Sequence, residues 1–406
     1  MAEKHHSGTA PGRGSLAGVK VIDLTRVLGG PFATQLLADH GADVIKLEPP
    51  QGDEVRDWGP PFHDEDASYF VGINRNKRSV ALDLAQVKGH EVLLALLEGA
   101  DVLIENFKPG AMEGWGIGYD VLKKRFPRLV YCKISGFGAD GPFGGCPGYD
   151  GIVGAMTGHY SVNGSAESGP MRLGLPVVDI STGLYCVIGI LMAMHERTTS
   201  GEGQYIEVTL YDAALTLMHP HFANYFLSAK TPGLTGNQHS NLVPYGMYAT
   251  KTCQIMIGAG NNRAFKKVCE VLDRPELAED PRFKTNGDRL RNRDALNAVI
   301  EAKLAEVDGT TFAIELLKAG LPCGPVLDTQ QVLEGEHVRA RGMVVQKDWY
   351  KGTATPVRLS RTPGALRTVP PKFSEHTREV LAEHGFDESA IDRLAAAGVV
   401  TEKRRI

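Results

Sequence analysis

The sequence predicts an α/β fold with a Rossmann-like parallel-sheet large domain and a smaller α+β domain. Three observations carry that reading: a strand–helix–strand unit at the start of the chain, its repetition up to Ser135, and a change of pattern after Asp212.

The first unit runs from Gly18 to Leu47. VKVIDLT is an apolar β-rich run, Gly29-Gly30-Pro31 a turn, PFATQLLADHG a helical pattern and ADVIKLE a second β-rich run, which together make a βαβ unit. SVALDLA, HEVLLALLEGA, DVLIENF, YDVLKKRF and RLVYCKIS continue the alternation as strand, helix, strand, helix and strand. Strands this dense in Val, Ile and Leu suit a parallel sheet covered on both faces. A long apolar helix is expected from about Ile180 to Arg197, followed by the turn TTSGEGQ and a strand-like run, YIEVTLYD.

Residues 216–245 are rich in His, Asn, Pro and Tyr with weak periodicity and read as a linker. MYATKTCQIMIGAG predicts a β-hairpin, and amphipathic patterns at 263–273, 292–305 and 310–319 predict helices of a compact α+β module. VVQKDWYKGTATPVRLS reads as β-rich, and EHTREVLAEHG and ESAIDRLAAAGVV as a closing helical tail. With 406 residues, two cores are expected. The plan is a disordered lead-in (1–15), the first part of the large domain (16–215), a linker (216–240), the small domain (241–325), and a linker with a C-terminal segment returning to the large domain (326–406).

A hydrophobic share of 42% and a charged share of 23% are ordinary for a soluble protein. A formal charge of −4 provides no general attraction to nucleic acid or an anionic membrane. Cys132, Cys146, Cys186, Cys253, Cys269 and Cys323 show no C-x-x-C or zinc spacing and read as reduced core thiols of a cytoplasmic protein. The most apolar helical stretch, Leu184 to Met194, is short for a bilayer, and the N-terminus lacks a signal-peptide apolar region. The histidines show no metal-ligand spacing, so no metal is assigned. Serine-hydrolase, P-loop and H-E-x-x-H signatures do not occur, and LGGP at 28–31, which could let backbone amides approach a ligand, lacks the G-x-G-x-x-G fingerprint of a dinucleotide site.

An open parallel sheet binds ligands at the carboxyl ends of its strands, which here carry Arg26, Glu48, Asn106, Phe107 and the Ser135–Gly138 turn. Basic side chains gather nearby: Arg75, Lys77 and Arg78 in NRNKRS, with Lys46, Arg56, Lys108 and Lys133. They could pair with a polyphosphate or form a solvated face. Asp179, in PVVDISTG ahead of the long helix, is either its N-cap or a carboxylate nucleophile toward a thioester, its oxyanion helped by helix N-terminal amides. The residues alone leave both open.

Taken in order, VIDLTRVLGGPFATQLLADHGADVIKLEPP, NRNKRSVALDL, DVLIENFKPGAM, GYDGIVGAMTG, PMRLGLPVVDISTG and GEGQYIEVTLYDAAL resemble the family III CoA-transferases, the carnitine and bile-acid CoA-transferase family. DPRFKTNGDRLRNRDAL and LPCGPVLD extend the likeness. The resemblance implies transfer of CoA from an acyl-CoA donor to a carboxylic acid through acyl-aspartyl and aspartyl-CoA intermediates, with Asp179 as nucleophile. It also implies CoA contacts from Val27 and Leu28, from Leu82, Asp83, Leu84 and Ala85, and from Asn106, Phe107 and Lys108, with Tyr149 and Asp150 near the pantetheine. The CoA thioester is then a substrate, no cofactor is permanently bound, and the protein is an interlocked homodimer.

Formyl-CoA transferases carry Gln where this chain has Leu28 and Arg where it has Pro49, and their glycine tract is not found near 236–245, so a larger acid than formate or oxalate is expected. Arg172 or Asn237-Gln238-His239 could hold the second carboxylate of a dicarboxylic acid, with succinyl-CoA as a possible donor. Racemases of 2-methylacyl-CoA thioesters share the fold and pair their aspartate with the His of a G-H-D motif. Here that motif is Gly148-Tyr149-Asp150. A phenol, which ionises only near about pH 10, is a poor base. A non-catalytic acyl-CoA binding protein is the third reading.

Overall fold

Six strands form one parallel sheet: β1 (Lys20–Asp23), β2 (Asp43–Glu48), β3 (Lys77–Ala81), β4 (Val102–Glu105), β5 (Val130–Ser135) and β6 (Tyr205–Thr209), in the spatial order 6-5-4-1-2-3. The computed structural model describes residues 14–404. The expected lead-in over 1–15 therefore lies, apart from Gly14 and Ser15, outside the described residues. The chain divides into two compact units, one holding 14–157, 173–219 and 338–404, the other 158–172 and 220–337.

The first unit follows from alternation along the strands. Ile22, Ile45, Leu103 and Tyr131 enter one buried cluster, while their neighbours Val21, Val44, Val102 and Cys132 enter another on the opposite face. Neither face is left to water, so both sets of positions are apolar. Helices α1 (Gly29–Asp39), α2 (Val87–Leu96), α3 (Tyr119–Arg125), α4 (Asp150–Met156), α5 (Val177–Ser200) and α6 (Leu210–Thr216) complete this part. The run YIEVTLYD was expected to stay extended, but α6 begins at Leu210 because the Thr209 hydroxyl accepts the Asp212 amide at 2.9 Å.

Helix α5 has 24 residues, more than the expected stretch, and by length and composition alone it could cross a membrane. It packs as half of a core element instead. Val178, Thr182, Cys186, Ile190, Ala193 and Arg197 recur every three or four residues on the buried side, and Arg197 ends it with a 2.7 Å ion pair to Asp101. Leu184, Tyr185, Ile188, Leu191 and Met192 are exposed on the remainder.

The second unit has a three-stranded antiparallel sheet of β7 (Tyr245–Ala249), β8 (Gln254–Gly258) and β9 (Cys323–Pro325), with α7 (Asn262–Val271), α8 (Arg293–Leu304) and α9 (Gly309–Lys318) around one core. The hairpin and all three helices match their sequence patterns. Two features do not: a helix at His221–Ser228 lies within the expected linker, and residues 158–172 join this unit instead of the large domain.

In the returning segment, β10 (Val344–Lys347) and β11 (Tyr350–Thr353) form a hairpin, followed by α10 (Thr377–Glu383) and α11 (Glu388–Ala396). Val380, Leu381, Ile391, Val399 and Val400 complete the cluster beside β3. The Ala81 amide donates to Thr377 at 3.2 Å and Leu82 bridges Val400, which covers an edge strand.

Candidate active site

The strand order reverses between β1 and β4, and there the loops leaving their carboxyl ends part to open a crevice. A cavity of about 400 Å³ lies at this point, bounded by Arg26–Gly30 after β1, Asn106–Pro109 after β4, Ser135 and Gly136 after β5, the Gly145–Tyr149 loop and Asp179. All of these residues belong to the first unit.

Asp179 is the third residue of α5, not its N-cap. The cap comes from α4: an Asp150 carboxylate oxygen accepts the amides of Val178 at 2.9 Å and Asp179 at 3.2 Å. Asp179 is thus free of capping duty, and its helix's first amides are already used. Two glycines bring α1 against it. A Cβ on Gly29 would lie 3.1 Å from the Asp179 carbonyl oxygen, and one on Gly183 would lie 2.5 Å from the Gly29 oxygen. The first amides of α1, at Gly29 and Gly30, have no acceptor among the described residues, and both glycines line the cavity. Burial, and then the Asp150 charge, push the Asp179 pKa up to about 7.

The turn between β1 and α1 is clamped from both sides. Asn106 accepts the Arg26 amide at 3.0 Å and donates to the Arg26 carbonyl at 2.8 Å. Val27 is held at φ 71°, a costly value for a β-branched residue, and its amide donates to Asp53 at 3.2 Å. Asp53 is in turn fixed by a buried 2.9 Å pair with Lys46.

The family described as CoA-transferase family III matches residues 16–377. The chain belongs to this family. It is 36% identical over 396 residues to a succinyl-CoA:glutarate CoA-transferase of Mus musculus, covering 95% of this chain and 90% of that protein. A succinate–glutarate CoA-transferase of Agrobacterium fabrum is also 36% identical, over 91% of this chain and 95% of its own length. The crystal structure of a CAIB/BAIF family protein from Brucella suis superposes with a TM-score of 0.83 at 38% identity, covering 92% of this chain and all of that one.

The transferase gathers Val27, Leu28, Asn106, Phe107, Lys108 and Tyr149 with Asp179 on the wall of one cavity. Asp150 stands behind Asp179 as the helix cap. Leu82–Ala85 follows edge strand β3 and is not part of the cavity wall, and Leu82 and Leu84 are core residues. Tyr149 is 52% exposed on the cavity wall.

The basic cluster requires correction. Arg75 is buried, donating to both oxygens of Asp39 at 2.9 and 2.6 Å and to the Thr353 carbonyl at 2.6 Å. Lys77 is buried among Asp23, Asn74 and the Pro31 carbonyl, and burial pulls its pKa down to about 8 against the opposing charge of Asp23. Lys46, Arg56 and Lys133 are likewise committed, to Asp53, Glu48 and Glu105. These cations brace strands through buried ion pairs. Arg172 and Asn237–His239 lie in the second unit and outside the cavity wall. Cys146, expected in the core, is exposed on that wall, as a loop of Gly144, Gly145 and Pro147 would suggest.

Proposed function

We propose that the protein transfers CoA from succinyl-CoA to a dicarboxylic acid, with Asp179 as the covalent nucleophile. The observation that carries this reading is Asp179, released from capping by Asp150 and packed against Gly29 in the switch-point cavity, whose wall includes Gly29 and Gly30 with amides that have no acceptor among the described residues. The two relatives named for succinyl-CoA or succinate and glutarate support the substrate class.

An ionised Asp179 oxygen attacks the donor thioester carbonyl and the C–S bond breaks, leaving an acyl-aspartyl anhydride and CoA thiolate. The thiolate attacks the aspartyl carbonyl, releasing the donor acid and forming an aspartyl-CoA thioester. The acceptor carboxylate attacks that thioester, and the expelled thiolate then takes the acyl group from the new anhydride. The product acyl-CoA leaves and Asp179 is regenerated, with no net proton change. Oxyanion stabilisation falls to the Gly29 and Gly30 amides of α1, because those of Val178 and Asp179 serve Asp150. Tyr149 in place of a histidine removes the acid–base partner that racemisation needs.

Mass analysis of enzyme incubated with succinyl-CoA should show a hydroxylamine-sensitive adduct on Asp179, and Asp179→Ala should lose both the adduct and glutarate-dependent CoA transfer. Transfer that survives Asp179→Ala rules the mechanism out. We also assign the exposed apolar face of α5 to a homodimer contact.

A further inference from the structure

Arg26 and Lys108 both line the cavity without an ion pair among the described residues, and of the two Arg26 stands on the turn that leads into Gly29 and Asp179. The strand-end cations Lys46, Arg56, Lys77 and Lys133 are buried in ion pairs, whereas Arg26 makes none among the described residues and its Nε is buried without a partner. Both backbone polar groups of Arg26 are held by Asn106, and its guanidinium lies 5.9 Å from the Phe107 ring. Glu54 shares the cavity wall but is solvent-exposed and out of ion-pair range of Arg26. A half-buried guanidinium whose buried Nε has no partner and which faces no carboxylate is a site for an anion.

Two anions could come with the substrate: a CoA phosphate or the free carboxylate of a dicarboxylic acyl group. Position favours the carboxylate. Arg26 precedes Gly29 by three residues, so their Cα atoms are at most about 11 Å apart, and Gly29 abuts Asp179. The second carboxylate of a short diacid is only a few bonds from the carbonyl that Asp179 attacks, while the phosphates sit beyond the whole pantetheine arm.

We propose that Arg26 binds the free carboxylate of the dicarboxylic acyl group and selects diacids over monoacids, an inference that rests on the Asp179 transferase reading. Succinyl-CoA and butyryl-CoA differ at this end by the carboxylate alone, so they are the probes. Wild type should prefer succinyl-CoA as donor. Arg26→Gln should lower kcat/KM for succinyl-CoA on the order of 10–100-fold, leave butyryl-CoA unchanged, and lose the preference of succinate over butyrate as inhibitor of adduct formation. Arg26→Lys should recover part of the preference, and it carries the same comparison should the glutamine variant fail to fold. An equal loss with both donors would mean that Arg26 serves CoA or the fold, and an intact preference would mean that another group reads the carboxylate; either overturns the assignment alone. A wild type that forms its Asp179 adduct equally from both donors overturns the diacid reading itself, and Arg26 selectivity with it.

Discussion

Asp179 must be ionised to attack a thioester, yet burial and the Asp150 charge hold its pKa up to about 7. The acid limb of kcat/KM for acyl-CoA should therefore fall through about pH 7. Asp150→Asn keeps an oxygen for the Val178 and Asp179 amides but removes the like charge. Its limb should move to lower pH, though only part of the way, because burial is the larger cause. A limb that stays in place would show that Asp150 acts only as a cap. The same shift links to stability. A carboxyl with a folded pKa above its unfolded value of about 4 holds its proton in the fold. Its contribution is complete below that unfolded value and is lost as pH rises through about 7. Asp179→Asn should thus be inactive but more stable at pH 8, by about 1–2 kcal/mol after allowance for solvent screening. Denaturant melts at pH 5 and pH 8 check this, and a gain independent of pH would contradict it.

Between α1 and α5 the alignment of two helix starts depends on small residues. A Cβ on Gly183 would meet the Gly29 oxygen at 2.5 Å and Phe32 at 3.0 Å, so Gly183→Ala must move α1 outward. The expected cost is about 1–3 kcal/mol. Because the Gly29 amide moves with α1, kcat should fall by more than the stability loss explains, which urea midpoints and initial rates on one preparation can separate. Unchanged kcat in a folded Gly183→Ala would remove α1 from the mechanism. The sequence marked Gly29 and Gly30 as able to admit a ligand to the backbone. Their partner Gly183 carried no such mark, since the requirement arises from a helix more than a hundred positions earlier in the chain.

For the whole molecule, α5 buries one face in the first unit and leaves Leu184, Tyr185, Ile188, Leu191 and Met192 in water, with Met192 66% exposed. A contiguous apolar face of this kind marks an interaction surface. Light scattering should give twice the 43.9 kDa chain mass. Met192→Glu with Leu191→Glu should halve it without unfolding the chain, because neither side chain is buried. A monomeric wild type would end the dimer assignment.

The sequence by itself determined the parallel sheet, most of the longer helices of both units and the placement of Asp179 in its motif, but not the helices at Leu210–Thr216 and His221–Ser228. Periodicity and runs of Val, Ile and Leu are local quantities, and a short chain segment carries them whole. Its reading of charge failed for the opposite reason. Arg75 and Lys77 stood in the basic cluster of NRNKRS, but whether a cation is free depends on partners such as Asp39 and Asp23, brought beside it only by strand register. The tertiary structure alone decided that those charges are spent inside the sheet, that Asp150 and not Asp179 caps α5, and that Arg26 on the cavity wall has no ion pair among the described residues.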